Sequence, residues 1–294
     1  MNLESYFSQK SKLINAAIKK SLPKDGSIIS KAMRYSMLAG GKRLRPIFVL
    51  LAAELCGGKI ENVMPAACAV EYLHTYSLVH DDLPAMDNDD LRRGKPTSHK
   101  MFGESAAILC GDALLTESFD LITKSKASDK NIKEAVKILS YYGGYQGMIA
   151  GQAEDTLEAG KWKNKNKAFL KKKLYFIHMQ KTAALIMASF KIGAVLAGAD
   201  RKKVKALEEY AKNIGLAFQI ADDILDVYAD KKLLGKKGSD KDNNKLTYLS
   251  FYGKEKAEKD ASAYVQKAKN AVKMFGKKSE ILNLIADYMT ARKY

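Results

Sequence analysis

The chain has 294 residues, of which 47% are hydrophobic, so it can bury a sizeable core in one or two domains. Fifty lysines and arginines against 33 aspartates and glutamates give a formal charge of +17, which attracts polyanions of every class. The excess is mainly lysine and lacks the interleaved arginine and aromatic residues of a nucleic-acid groove. We therefore expect a solvated, lysine-rich surface and no specific nucleic-acid partner.

The cysteines and the apolar segments suggest the cellular compartment. Cys56, Cys68 and Cys110 are an odd number without paired spacing, which indicates neither a disulfide framework nor a zinc cluster. The N-terminal residues carry charges where a signal peptide needs an apolar stretch. The most apolar later segment, Ala183–Ala199, is interrupted by Lys191. We expect reduced thiols, a cytoplasmic location and no membrane span.

The positions of proline and of apolar residues indicate helices. No proline follows Pro96, which suits long helices better than a turn-rich β fold. Helical periodicity recurs in seven segments: Ile28–Leu38, Pro65–His80, Glu104–Ile122, Ile132–Ile149, Phe169–Leu196, Val204–Tyr228 and Lys256–Met274. No long linker and no fixed repeat separates these segments. We predict an all-α chain with a single domain over residues 1–294.

A first acidic cluster follows the second of these segments, the apolar stretch that ends at His80. Its members are Asp81, Asp82, Asp87, Asp89 and Asp90. Mg²⁺ typically takes one or two carboxylates and completes its shell with water and phosphate oxygens, so the cluster suits a magnesium site. The alternative is a solvated acidic loop balanced by the following Arg92 and Arg93.

A second acidic cluster lies on an otherwise apolar helix. It consists of Asp222, Asp223 and Asp226, and the first and last of these are one turn apart on one face. Three carboxylates are costly to bury bare, whereas they suit a cavity that holds metal ions and anionic ligands. The two clusters together predict a shared metal site.

The stretch Gly40–Pro46, GGKRLRP, carries cations suited to the anion that such metals would bridge. Arginine forks match phosphate oxygens, and lysine adds a point charge. The glycine pair allows close backbone approach, but the strand and spacing of a Walker or dinucleotide motif are missing. The alternative is a helix C-cap followed by a basic first turn.

Five motifs occur in an order and spacing that resembles the trans-prenyl diphosphate synthases, over roughly residues 30–250. They are GGKRLRP, DDLPAMDNDDLRRGKPT, GMIAGQAED, KTAAL and AFQIADDILD. The likeness is greatest to the bacterial farnesyl diphosphate synthases. It implies the isoprenoid synthase fold, a bundle of about ten or more helices around a deep central cavity, and a homodimer.

The resemblance also implies which residues bind metal. Several Mg²⁺ ions per active site would be held by Asp81 and Asp87 of the first motif and by Asp222 of the second, and Asp82 would be catalytic as well. In an unbroken α-helix Asp81 and Asp87 would point about 120° apart. Pro84 disfavours a continued helix and would bring Asp87 back toward Asp81.

Two substrate pockets are implied in the same way. Lys42, Arg45, His74 and Arg93 correspond to the pocket for isopentenyl diphosphate, although His74 alone would be interpreted as a satisfied core histidine. Residues implied around the allylic diphosphate and its chain are Arg92, Lys181, Thr182, Gln219 and Lys236, with Gln152 and Asp155 lining the same cavity. Lys181 and Thr182 would also be catalytic: oxygens of Thr182 and Gln219, with backbone carbonyls near Lys181, would steady an allylic cation.

Product length is predicted from Tyr76, which precedes Asp81 by five residues and so lies about 7–8 Å along the same helix. With the small Ser77 beside it, Tyr76 would be the main floor of the pocket. An aromatic at this place, combined with the two-residue insertion in the first motif, resembles the farnesyl-making class, which implies farnesyl diphosphate made from isopentenyl and dimethylallyl or geranyl diphosphate. The alternatives are a geranylgeranyl or longer-chain synthase and, in a different class, a non-catalytic basic binding protein or regulatory subunit. A terpene cyclase is disfavoured, because it needs no second diphosphate pocket.

Overall fold

The computed structural model describes residues 2–157, 161, 165–228 and 246–290. Its regular structure over these ranges is helical except for one antiparallel pair of two-residue strands, β1 (Leu91–Arg92) and β2 (Lys95–Pro96). More than ten helices are present. The prediction of an all-α bundle is therefore confirmed.

The chain divides into two compact units. The first consists of Met1–Lys137 with Ile192–Ala199, and the second of Ile138–Lys191 with Asp200–Tyr294. The single-domain organisation expected from the sequence stays a prediction.

The first unit is built around α4. Its helices are α1 (Leu3–Ser21), α2 (Ile28–Met37), α3 (Leu44–Leu55), α4 (Ile60–Asp81), α5 (Ser98–Phe102) and α6 (Glu104–Thr123). The apolar α4 packs along α6 and against α3. Gly111 permits the close approach of α6, because a Cβ there would lie 2.0 Å from His80 Nε2 of α4. This packing fixes the end of α4, where the first acidic cluster begins.

The second unit is built around α11. Its elements are α8 (Met148–Leu157), α9 (Lys167–Ile177), a π-helical segment (His178–Ala183), α11 (Arg201–Tyr228), α12 (Tyr248–Tyr252), α13 (Lys254–Ala271), a 3-10 segment (Lys273–Ser279) and α14 (Glu280–Thr290). α11 buries Leu207, Tyr210, Ile214, Ala217 and Ile220, at the spacing of three and four residues that defines one helix face. It packs along α13 and the π segment. Two further helices, α7 (Asp129–Gly143) and α10 (Ala184–Leu196), each contain a boundary between the units.

Two of the helical segments contain a local departure from regular α-helix. The segment Ile132–Ile149 is divided between α7 and α8 by a turn in which the Gly147 N–H donates to the Gly144 carbonyl (3.0 Å). The segment Phe169–Leu196 is helical throughout, but it contains the π segment between α9 and α10. Apolar periodicity predicted neither departure, because it does not report a tight turn or one extra residue in a helical turn.

Side-chain caps mark where several helices begin. Ser27 Oγ accepts from the Ser30 N–H at the start of α2 (3.2 Å), and Asn166 Oδ1 accepts from the Phe169 N–H at the start of α9 (2.9 Å). Thr247 forms a capping box with α12. Because such caps satisfy donors that the helix itself cannot, they place each helix start at a defined residue.

The structure also bears on the cysteines and on the expectation of no membrane span. Cys68 and Cys110 are free thiols in the core, and burial raises the pKa of Cys68 to about 12 and that of Cys110 to about 11. These two thiols are therefore inert core residues. Among the described residues, no helix combines the length and apolarity needed to cross a membrane.

Candidate active site

Arg43 anchors the GGKRLRP loop between α2 and α3. Its buried guanidinium donates to Glu71 Oε1 (2.7 Å), to the Met37 carbonyl (2.6 Å) and to Asn15 Oδ1 (2.9 Å). The basic motif thus contains one structural arginine, while the preceding Lys42 is exposed. Among the basic residues of this motif, only Lys42 and Arg45 were predicted to bind substrate.

Arg45 and His74, both predicted for the isopentenyl diphosphate pocket, are in contact. Arg45 Nη1 lies 3.3 Å from His74 Nε2. Burial, together with the charges of Arg45 and Arg93, holds the pKa of His74 well below its ordinary value. A neutral imidazole can accept from the guanidinium and so orient it.

Arg93 lies against the glycine pair of the same loop. It donates to the Gly40 carbonyl, and a Cβ at Gly41 would lie 2.6 Å from Arg93 Nη1. Gly41 also adopts φ 128°, which L side chains rarely adopt. The glycines therefore permit the approach of a guanidinium that the sequence assigned to the same pocket as Lys42.

The first acidic motif turns back on itself after α4 ends at Asp81. The Asp87 N–H donates to the Asp81 carbonyl (2.9 Å), and the Asn88 N–H donates to the Leu83 carbonyl (3.1 Å). Asn88 adopts the left-handed conformation that asparagine tolerates, with φ 51°. The helix does not continue through Pro84, and the backbones of Asp81 and Asp87 meet at the end of α4.

Asp82 faces the protein interior and pairs with Arg92. Its side chain is 4% exposed, and its two oxygens accept from Arg92 Nε at 2.7 and 2.8 Å. Burial raises the pKa of Asp82, and the hydrogen bond from Arg92 opposes that shift. This geometry lets Asp82 orient Arg92; a direct catalytic role for Asp82 stays a prediction.

The acidic motifs offer oxygen atoms of the kind that Mg²⁺ prefers. Over the described ranges, no three His, Cys, Asp or Glu side chains are grouped closely enough to hold a metal by themselves. Mg²⁺ ordinarily needs only one or two carboxylates when water and phosphate oxygens fill its other positions. The carboxylates at the end of α4 in the first unit, and separately those on α11 in the second unit, are chemically suited to such a role.

In the second unit, the π segment presents Lys181 and Thr182. Lys181 Nζ donates to Asp155 Oδ2 of α8 (2.5 Å), beside the half-buried Gln152. The helices approach closely because residue 151 is glycine: a Cβ there would lie 2.1 Å from the Lys181 backbone nitrogen. Lys181, Asp155 and Gln152, all predicted for the allylic site, are thus neighbours.

Thr182 joins the second acidic motif through Gln219. Thr182 Oγ1 donates to Gln219 Oε1 (2.5 Å), and Gln219 Nε2 donates to Asp223 Oδ1 (2.9 Å). Asp223 is buried, whereas Asp222 and Asp226 are partly exposed on α11. The exposure agrees with a ligand role for Asp222. Lys236, predicted for the leaving group, lies outside the described residues.

Tyr76 and Ser77 lie on the last turns of α4. Tyr76 is 6% exposed, and its ring contacts that of His80 edge-on with centroids 5.7 Å apart. Burial, with the charge of Asp81, raises the pKa of Tyr76 to about 12. Ser77 is half-buried and donates to the His74 carbonyl (2.9 Å). Tyr76 is therefore a neutral, well-packed aromatic side chain.

Sequence reasoning placed Asp223 in the second acidic cluster but missed its hydrogen bond to Gln219, and it also missed the π segment. Asp223 was grouped with its neighbours as one acidic cluster, although the spacing Gln219–Asp223 places an amide donor one turn from a carboxylate. That spacing was the available signal. The π segment has no such signal, because its extra residue leaves the local apolar composition unchanged.

An all-α fold with two acidic motifs and a set of basic side chains is typical of prenyltransferases with the isoprenoid synthase fold. The chain belongs to the polyprenyl synthetase family, whose profile matches residues 26–286.

The chain is similar to synthases of different product lengths. It is 45% identical over 296 residues to a chloroplastic geranylgeranyl pyrophosphate synthase of Capsicum annuum, covering 99% of this chain and 79% of the relative. It is 38% identical over 302 residues to the farnesyl diphosphate synthase of Geobacillus stearothermophilus, covering 100% and 99%. A crystal structure of an FPP/GFPP synthase from Zymomonas mobilis superposes with a TM-score of 0.87 at 35% identity, covering 99% of each chain.

Proposed function

We propose that the protein condenses isopentenyl diphosphate with dimethylallyl or geranyl diphosphate to give (2E,6E)-farnesyl diphosphate and diphosphate. The observation that carries the product length is Tyr76, a buried aromatic on α4 five residues before Asp81. It lies where an elongating chain anchored near Asp81 would meet a bulky side chain after about 7–8 Å. The Geobacillus relative is named for the same product.

The diphosphates would be bound by the basic residues. Lys42, Arg45, His74 and Arg93 would bind isopentenyl diphosphate, with the neutral imidazole of His74 orienting Arg45. Arg92, held by Asp82, would donate to the allylic diphosphate. Lys181 and Lys236 would do the same.

Charge stabilisation would be the main catalytic contribution. Mg²⁺, held by Asp81, Asp87 and Asp222, would supply positive charge to the diphosphate leaving group. Oxygens of Thr182 and Gln219 would stabilise the allylic cation. The double bond of isopentenyl diphosphate would then attack that cation, and a proton would pass to the departing diphosphate.

The test is a product assay with isopentenyl and geranyl diphosphate, with Mg²⁺ or with excess chelator. We expect a fifteen-carbon alcohol after dephosphorylation, formed only with Mg²⁺ and identified by chromatography and mass. A twenty-carbon or longer product would overturn the proposed length while keeping the chemistry. No product with any allylic partner would favour a non-catalytic protein.

A geranylgeranyl synthase is the second candidate, because the Capsicum relative, at 45% identity, is named for that product. Substitution of Tyr76 separates the two. We expect Tyr76→Ala to shift the main product from fifteen to twenty or more carbons, since loss of the ring opens the pocket. Tyr76→Phe is the matched control, keeps the ring and should leave product length unchanged. An unaltered fifteen-carbon product from Tyr76→Ala would remove Tyr76 from this role.

The homodimer and the cytoplasmic location expected from the sequence belong to the same proposal. On α6, the apolar side chains of Ile108 and Leu109 are 45% and 54% exposed. They are candidates for burial between two copies of the chain.

A further inference from the structure

A continuous set of hydrogen bonds runs from the π segment to the start of α12. Thr182 donates to Gln219, Gln219 donates to Asp223 Oδ1, and the Tyr248 backbone N–H donates to Asp223 Oδ2 (2.6 Å). His178 Nε2 lies 3.4 Å from the same Oδ2. Two donors, one from α11 and one from α12, therefore converge on Asp223, and the imidazole of His178 in the π segment lies beside it.

The direction of every bond in this set follows from Asp223. An ionised carboxylate only accepts, so the Gln219 atom that faces it is the amide nitrogen. The carbonyl of Gln219 then faces Thr182, whose hydroxyl must donate its single proton to it. With that proton committed, Thr182 Oγ1 offers only lone pairs to any other group.

The surroundings hold this arrangement in place. Asp223 is 3% exposed, and the ring of His178 stacks on that of Tyr248 with centroids 6.0 Å apart. Two glycines let neighbouring helices touch the π segment: a Cβ at Gly151 would lie 2.1 Å from the Lys181 nitrogen, and one at Gly215 would lie 2.7 Å from the Ala183 Cα. Hydrogen bonds fixed by such packing cost no reorganisation during a reaction.

We propose that Asp223 is a positioning residue for prenyl transfer: it sets the hydrogen-bond direction so that Thr182 turns oxygen lone pairs, and no proton, toward the allylic cation. The inference rests on the proposed function and deepens it. If the direction were reversed, the Thr182 hydroxyl hydrogen would point outward, with its partial positive charge near a cation. Through the Tyr248 N–H, the same carboxylate also anchors the start of α12.

Asp223→Asn tests the direction. The introduced amide keeps a carbonyl for the Tyr248 N–H and presents its NH₂ to Gln219, whose own amide must then rotate and offer NH₂ to Thr182. We expect kcat with geranyl diphosphate to fall about 10²-fold, by analogy with loss of one preorganised dipole, while KM for isopentenyl diphosphate stays within about twofold. Because a smaller folded fraction would also lower the apparent kcat without changing KM, circular dichroism and the denaturation midpoint of the variant are measured alongside and should match those of the wild type.

Gln219→Glu in the Asp223→Asn background supplies the rescue. The carboxylate introduced at position 219 accepts from both Thr182 and the amide at position 223, so all bonds are satisfied, the original Thr182 direction returns and the net charge is unchanged. We expect kcat of the double variant to rise about tenfold or more above that of Asp223→Asn, since the oxygen dipoles are again preorganised. Full recovery is not expected, because Gln219 itself is proposed to face the allylic cation. Because its hydrogen bonds are complete, the double variant keeps the test decisive even if Asp223→Asn alone folds poorly.

Hydrogen exchange gives a readout independent of turnover. The Tyr248 amide should exchange faster in Asp223→Ala, which removes its acceptor, and at the wild-type rate in Asp223→Asn. If the wild type is active, an unchanged kcat in Asp223→Asn would overturn the inference alone. A double variant whose kcat is no higher than that of Asp223→Asn would do the same. A wild type without prenyltransferase activity would overturn the proposed function and this inference together.

Discussion

Asp81→Ala should lower kcat by about 10²- to 10³-fold at saturating Mg²⁺, the loss expected when a group that stabilises transition-state charge is removed. Asp81 is the last residue of α4, and its backbone carbonyl accepts from the Asp87 N–H. The two residues therefore lie together at the end of the helix. Removing one would weaken the hold on the metal that draws charge from the leaving group. Steady-state kinetics with geranyl and isopentenyl diphosphate, over a Mg²⁺ titration, measures the effect. Asp222→Ala should cause a loss of similar size.

Asp90→Ala is the matched control for Asp81→Ala. Asp90 lies in the same loop and pairs with Lys100 at 2.9 Å, with its side chain 48% exposed. The substitution removes the same charge but no proposed ligand, so kcat should stay within about twofold, since exposed pairs of this kind contribute little. Near-full turnover of Asp81→Ala at saturating Mg²⁺ would contradict the proposed mechanism. An equal loss in both variants would attribute the effect to general electrostatics.

Glu71→Ala should lower the free energy of unfolding by about 3–5 kcal/mol, because it leaves Arg43 as a buried charge without its carboxylate. The side chains of this pair are 1% and 3% exposed, and Nη1 lies 2.7 Å from Oε1. Arg43 also holds the carbonyl of Met37, so the GGKRLRP loop should loosen at the same time. Chemical denaturation at neutral pH measures the loss.

Two further variants test whether the loss of stability in Glu71→Ala comes from a buried unpaired charge or from the loss of an ion pair alone. Lys124→Ala removes an exposed pair with Asp120, in which both side chains are more than half exposed, and should cost at most about 1 kcal/mol. The double change Arg43→Met with Glu71→Leu should be less damaging than Glu71→Ala alone, since it leaves no unpaired charge. A loss below about 1 kcal/mol for Glu71→Ala would show that the pair is not structural.

The motif spacings predicted local backbone geometry that the structure contains. The interval between Asp81 and Asp87, with Pro84 inside it, predicted that the chain returns toward Asp81, and the Asp87 N–H donates to the Asp81 carbonyl. This feature could be predicted because its residues are near one another in the sequence. The contact of Arg45 with His74 joins residues 29 positions apart, and only the family resemblance implied it.

The remaining features depend on tertiary contacts that no spacing reports. Arg43 and Arg45 are equivalent in sequence terms, yet Arg43 meets Glu71 in the core. Asp82 and Asp223 are each the second aspartate of a pair, and each faces inward to a protein partner, while Asp81 and Asp222 are partly exposed. A helix carries consecutive residues about 100° apart, so adjacent aspartates must differ in role once one face is buried.

The π segment has a consequence for exchanging parts between relatives. One additional residue in a turn changes the phase of everything on one side by about 100° relative to the other. Deleting a single residue from His178–Ala183 would restore a continuous helix and rotate α9 by that angle, which would carry the buried Leu174 and Ile177 away from the core. A chimera that takes α9 from a relative can therefore differ widely in the amino-acid composition of that helix. Its π segment, however, must keep the same number of residues.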